Sequence, residues 1–246
     1  MATDPAGLAR WVEVHRLAVA GRQSEIARDI GGRVCWTWLR TSRFAAVEAV
    51  ATATLTLGPN ARAFYQRGWA RSSTGRPWSA LEDFQQALTM YQQAGDRGNE
   101  AATLNNIGGV YAGLGDWQRA LDHYHQALPI TREVGDRAGE ATTLNNIGGV
   151  YAGLGDWQRA LDHYHQALPI TREVGDRAGE AVTRFNIATV HRADGDLDQA
   201  IQELEHVVDL DRQVDHPRLE ANTVVLEQLR RQRAEDHGSE PPPAGP

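Results

Sequence analysis

From Leu104 onward the apolar positions recur three and four residues apart. Leu104, Ile107, Tyr111 and Leu114 share one helical face, with Gly108 among them. After Gly115-Asp116 the rhythm returns in Trp117, Ala120, Leu121, Tyr124 and Leu128. This spacing predicts two amphipathic helices, because side chains so spaced line up on one side of a helix. The Gly-Asp pair divides them. Glycine accepts the left-handed conformation that ends a helix, and aspartate takes up the free amides that begin the next. Gly135-Asp136, Gly155-Asp156 and Gly175-Asp176 repeat the punctuation. The pattern predicts helices over roughly 97–114, 117–134, 137–154, 157–174, 177–194 and 197–214, in an all-α chain of about twelve helices without strands.

The rhythm is itself repeated. Thr103 to Glu140 and Thr143 to Glu180 are the same string, forty positions apart, and diverged copies flank them at Ala61 to Glu100 and Ala181 to Glu220. Upstream, Arg43-Phe44-Ala45-Ala46-Val47 through Gly58-Pro59-Asn60 reads as the second helix of a degenerate repeat. Its first helix is expected from about Ile26 to Arg40, and Asp4-Pro5 is placed to start one more helix, to about Ala20. Downstream, His216-Pro217 opens a closing helix to about Arg233, of the kind that covers the last apolar face of a stack. The expected organisation is an N-terminal helix plus degenerate repeat over 1–60, repeats at 61–100, 101–140, 141–180 and 181–220, a capping helix at 221–235 and a disordered low-complexity tail at 236–246.

The string Leu104-x2-Ile107-Gly108-x2-Tyr111, followed by Ala120-x3-Tyr124 and Ala127, resembles the tetratricopeptide signature. The forty-residue period is similar to that of Leu-Gly-Asn-type adaptors of spindle orientation. The Leu104-Asn105-Asn106 string resembles kinesin light chains and many bacterial repeat-bearing regulators. The resemblance covers residues 61–220. It implies a right-handed superhelical solenoid of stacked helix-turn-helix hairpins, whose first helices line a concave channel that binds proteins.

On that frame the channel stripe comprises Ala102, Asn105, Gly109 and Ala112, then Thr142, Asn145, Gly149 and Ala152. A smooth neutral floor admits a close-lying peptide or helix, and its amides can pair with that backbone. The matching positions in the flanking copies are bulkier: Arg62, Tyr65 and Trp69 at one end, Phe185, Thr189 and Arg192 at the other. The expected partner-binding residues are Tyr65, Trp69, Asn105, Gly109, Asn145, Gly149, Phe185 and Arg192. Tyr65 and Trp69 have an alternative role, plugging the seam to the degenerate repeat. Asn106 and Asn146 are expected to bond neighbouring backbone. Arg184 stands where the identical copies have Leu104 and Leu144, which predicts a rotated helix and unsettles the place of Phe185.

Composition narrows the function. A net charge of −7 offers no basic excess for nucleic acid or an anionic membrane. All 25 basic residues are arginine. Co-chaperone members of the resembled family clamp a C-terminal carboxylate with Lys and Asn. This chain has no Lys and its central stripe no Arg, so that mode is excluded. Cys35, the one cysteine, lies in an apolar stretch and reads as a buried structural thiol. His123 and His125, like His163 and His165, stand two apart on a helix and diverge by about 200°, so neither pair shares a metal ion. No phosphate loop, nucleophile elbow or zinc-spaced cysteine set is present. The start lacks the basic and apolar regions of a secretion signal, and no stretch is apolar enough to span a bilayer. The expected protein is a cytoplasmic, non-catalytic scaffold without cofactor or metal, holding a protein or peptide partner. The alternative is a regulatory sensor or self-assembly module of a bacterial signalling system, with self-association as its partner mode.

Overall fold

The computed structural model describes residues 5–214 and 216–238. Twelve α-helices and no strand occur among them: α1 (Pro5–Ala20), α2 (Ser24–Leu39), α3 (Phe44–Leu55), α4 (Ala61–Ser73), α5 (Pro77–Ala94), α6 (Arg97–Gly113), α7 (Trp117–Glu133), α8 (Arg137–Gly153), α9 (Trp157–Glu173), α10 (Arg177–Asp194), α11 (Leu197–Gln213) and α12 (Leu219–Gly238). From α6 to α11 the bounds fall within one residue of those that the Gly-Asp spacing predicts. The local chemistry is the expected one. Asp136 accepts from Gly139 N at 2.9 Å and Asp156 from Arg159 N at 3.2 Å, while Gly135 and Gly155 end their helices at φ +71° and +76°. The closing helix departs from expectation, starting at Leu219 rather than His216 and running past Arg233. Asp4 and the tail from 239 lie outside the described residues.

The chain divides inside α7 into two compact units, Met1–Ile130 and Thr131–Pro246. In the first, consecutive helices from α1 to α6 pack on one another, and α2 and α4 also meet, as do α4 and α6. Val34, Cys35, Trp38, Val47 and Val50 form one buried cluster; Phe84, Leu88, Leu104, Ile107 and Ile130 form another. Cys35 is structural: burial pushes its thiol up to about 12. His15 docks α1 through a bond of 2.9 Å between its Nε2 and Thr54 Oγ1, and burial lowers its pKa. In the second unit α8 pairs with α9, α10 with α11, and α12 covers α11. Tyr164, Ile187 and Val190 fill one cluster, and Leu204, Val208, Leu226 and Leu229 the other.

Within three hairpins, glycine and a ring are fitted to each other. A Cβ added at Gly108 would lie 2.6 Å from Tyr124 Cε1, and one at Gly148 the same distance from Tyr164 Cε1. At Gly68 it would meet Phe84 Cδ1 at 2.9 Å. Forty positions beyond Gly148 the glycine becomes Ala188, and the ring has become the smaller Leu204. Close packing sets this reciprocity, since interiors have no room for an extra methyl.

Identical strings build near-identical hairpins, so removing one should leave a folded, shorter protein. Deleting residues 101–140 joins Glu100 to Ala141 and recreates the existing Glu140–Ala141 junction. We expect full helical signal per residue and a single cooperative melt by circular dichroism. Loss of either would disprove modular stacking.

Candidate functional site

The chemistry-bearing side chains first have to be separated from those consumed by packing. One second-helix position, held by Asp83, His123, His163 and Glu203 in successive hairpins, takes its first-helix partner from a different place in three of them. In the hairpin of α6 and α7, Tyr111 stacks on His123 (5.5 Å, 3° between planes) and lies beneath the Arg119 guanidinium at 5.4 Å. Tyr151, His163 and Arg159 do the same in α8 and α9. Burial lowers the pKa of His123, so its imidazole is a neutral stacking partner. In α4 and α5 the pair is ionic: buried Asp83 takes Arg67 Nε at 2.9 Å and Nη2 at 2.7 Å, and Arg71 at 3.1 Å. In α10 and α11 it is ionic again, with Arg184 bound to Glu203 and to Glu180. Arg184 therefore keeps the core position of Leu144, 6% exposed, with Ile187 and Val190 still buried beside it. The expected rotation of this helix does not occur, because Glu203, where the identical copies have His123 and His163, supplies the charge that the arginine needs. Among the described residues no group of three or more His, Cys, Asp or Glu stands ready to hold a metal ion, and no helix is long and apolar enough to cross a membrane.

The first helices carry what remains. In the first unit Tyr65 and Trp69 are half-buried in a run of edge-on rings: Trp36 to Trp69 at 5.7 Å, Trp69 to Tyr65 at 6.1 Å and Tyr65 to Phe84 at 5.9 Å. Trp69 touches both buried clusters of this unit and fills the seam between them. Asn106 does not bond neighbouring backbone as expected; its Nδ2 donates to Tyr65 Oη at 2.8 Å. Asn105 is half-buried and Gly109 exposed. A cleft of about 330 Å³ opens beside Tyr65, lined also by Trp36, Arg62, Gln66, Tyr91 and Asn99. Sequence reasoning missed Trp36 and Tyr91. The signal for Trp36 was its phase: it falls off the face defined by Val34, Cys35, Trp38 and Leu39, and it is 47% exposed.

In the second unit Asn145 is half-buried and donates from Nδ2 to Thr183 Oγ1 at 2.8 Å, which ties α8 to α10. Gly149 and Arg192 are exposed. Phe185 packs half-buried on the α11–α12 cluster and lines a second cleft, of about 450 Å³, with Val182, Asn186 and Asn222. A Cβ at Gly149 would meet nothing nearer than Tyr164 Oη at 3.8 Å, and at Gly109 nothing nearer than Tyr124 Oη at 3.7 Å. Unlike Gly108 and Gly148, these two glycines have room for a methyl group among the described residues.

A model of the tetratricopeptide repeat matches the chain twice, at residues 99–173 and 139–213. No curated protein sequence matches it. Among solved structures it is similar to the apo quorum sensor NprR from B. thuringiensis, at 18% identity and TM-score 0.73, covering 92% of this chain and 65% of that one. It is similar to aspartyl phosphate phosphatase F from Bacillus subtilis, at 13% identity and TM-score 0.71, covering 87% and 58%. BtubC from P. vanneervenii follows at 20% identity and TM-score 0.66, covering 98% and 94%. The chain thus spans less than two thirds of NprR and of phosphatase F, and these likenesses are of fold. Signature, hairpin geometry and family match agree: through residues 99–213 the chain belongs to the tetratricopeptide repeat family.

Proposed function

We propose that this chain is a non-catalytic cytoplasmic adaptor that binds a peptide or short helix of a partner protein on the exposed first-helix surface of each of its two units. The forty-residue repeats are its modules. Tyr65, Trp69, Asn105 and Gly109 in the first unit, and Asn145, Gly149, Phe185 and Arg192 in the second, are its contact residues. The observation that carries this reading is the pair Gly109 and Gly149. A glycine inside a helix costs about 0.5–1 kcal/mol relative to alanine. These two are exposed, and a methyl group at either would clash with nothing among the described residues. Their bareness therefore favours the close approach of an external backbone. NprR carries the description of a quorum sensor, which keeps a regulatory role as the second reading. Phosphatase F is an enzyme by name, but its likeness at 13% identity brings no catalytic residue to this chain.

Replacing Gly109 and Gly149 together by alanine separates the two roles a glycine can have. The variant should be more stable, by about 0.5–1 kcal/mol per site, and should bind its partner at least tenfold more weakly, since each methyl occupies the space of the bound backbone. A urea melt and a calorimetric titration with the partner recovered by affinity purification measure both. Unchanged affinity would move the binding surface elsewhere; lost stability would make the glycines structural.

A further inference from the structure

The cleft of the first unit holds two donors without a hydrogen-bond acceptor among the described residues. Arg62, on α4, runs its aliphatic stem over the bare Cα of Gly32: a Cβ there would lie 2.7 Å from Arg62 Cδ. Among the described residues its guanidinium has no hydrogen bond and no ion-pair partner. Arg33 at the rim is different, for it pairs with Asp29 at 3.1 Å. Tyr91, on α5, is 7% exposed and lines the same cleft, and its hydroxyl has no partner among the described residues. Burial raises that hydroxyl to about 12, with Arg62 close enough to oppose the rise, so Tyr91 keeps its proton and can only gain by donating it. The nearby Asp96 is engaged at the start of α6, accepting from Asn99 N at 3.2 Å and Asn99 Nδ2 at 2.8 Å. Tyr65 Oη is already bonded to Asn106. The exposed ring of Trp36, held edge-on by Trp69, forms the apolar wall.

Arg62 is exposed, so water serves both groups in the open cleft, and a carboxylate that replaces this water gains a charge-assisted bond from the guanidinium and a second bond from the hydroxyl. One guanidinium beside one hydroxyl balances a single negative charge, which suits a carboxylate better than a doubly charged phosphate group. The volume, about 330 Å³, stands at the lower end of ligand pockets, with room for two or three side chains. We infer that this cleft receives the Asp or Glu side chain of a partner peptide between Arg62 and Tyr91, with an adjacent apolar side chain of that peptide laid on Trp36. The inference rests on the peptide-binding reading above and supplies its specificity. Its donors, an arginine and a tyrosine on α4 and α5, are not those of a Lys-and-Asn clamp for a chain end.

A random peptide library displayed internally on a carrier, with no free end, tests it on the full chain. Selected peptides should carry Asp or Glu next to an aromatic or branched apolar residue. A selected sequence, made acetylated and amidated, is then titrated alongside its counterpart in which glutamine replaces the acid. Arg62→Met keeps the stem over Gly32 and should weaken the acidic peptide roughly tenfold to hundredfold, while leaving the thermal midpoint unchanged and erasing the preference for acid over amide. Tyr91→Phe should weaken the same peptide roughly tenfold. Selected peptides without acid preference, or a preference that survives Arg62→Met, would overturn the inference. So would a preference seen only in a second library presenting free C-termini. Peptides that depend on Gly109 and Gly149 but not on Arg62 would sink this inference alone; recovery of no peptide at all would sink the adaptor reading beneath it.

Discussion

Truncating Asp83 to alanine should cost the first unit about 3–5 kcal/mol, the usual penalty for leaving buried charge without its partner. Asp83 is 2% exposed and satisfies Arg67 twice and Arg71 once. Neither arginine has another route to a full set of acceptors inside the hairpin. Arg71 shares Glu48 with Arg76, and among the described residues Arg67 has only Thr52 Oγ1 besides, at 3.3 Å. The Arg76 hydrogen bond, ahead of the Arg71 one, holds the Glu48 carboxyl down at about 2. That depressed value means that its contribution is complete above pH 4.5 and is lost as pH falls toward 2. The repeat also supplies a cure. Forty positions on, Arg67, Arg71 and Asp83 are matched by Ile107, Tyr111 and His123, an apolar residue with a neutral stack. Combining Arg67→Ile, Arg71→Tyr and Asp83→His should therefore recover most of what Asp83→Ala loses. Urea denaturation followed by circular dichroism decides it. A loss below about 1 kcal/mol for Asp83→Ala would mean that water already serves these arginines.

Reading the sequence captures whatever is local. Helix bounds are legible because Gly135-Asp136 and its equivalents act on amides three residues away, and core positions because Leu104, Ile107 and Tyr111 share a face. What escapes is pairing between helices. Arg184 and Glu203 stand 19 residues apart, Arg67 and Asp83 16, Asn106 and Tyr65 41, and no periodicity within one helix joins them. Arg184 misled for that reason: alone on an apolar face it argues for rotation, and with Glu203 opposite it argues for staying put. The signal was present between the copies. Aligned by forty, the column of Phe64, Leu104, Leu144 and Arg184 turns charged in the repeat whose partner column, Asp83, His123, His163 and Glu203, turns from His163 to Glu203. The cleft around Arg62 and Tyr91 has no such trace, since it depends on Gly32 being bare beneath an arginine stem thirty residues away.

The same comparison of columns predicts how glycine and ring are coupled. Gly148→Ala gains up to about 1 kcal/mol of helix propensity but sets its methyl 2.6 Å from Tyr164 Cε1 and 2.8 Å from Cδ1. Tyr164 is buried and cannot swing away, so overpacking, at about 1–3 kcal/mol, wins and the variant is destabilised. Tyr164→Leu alone empties part of a packed core and should lose about 1–3 kcal/mol. The double variant recreates the pair that the chain already uses at Ala188 and Leu204. Alanine then fills space that the ring has vacated and keeps its gain in propensity. The double variant should therefore be more stable than Tyr164→Leu, even though Gly148→Ala is harmful by itself. That reversal of sign corresponds to a favourable coupling of about 1–3 kcal/mol, the range expected for residues in direct contact. Four urea melts measure it, and Gly108 with Tyr124, at the same 2.6 Å, provides a second cycle with identical residues. Simple additivity in both cycles would show that the backbone of α8 yields to the methyl, and that the recurring glycine answers some demand other than the ring beside it.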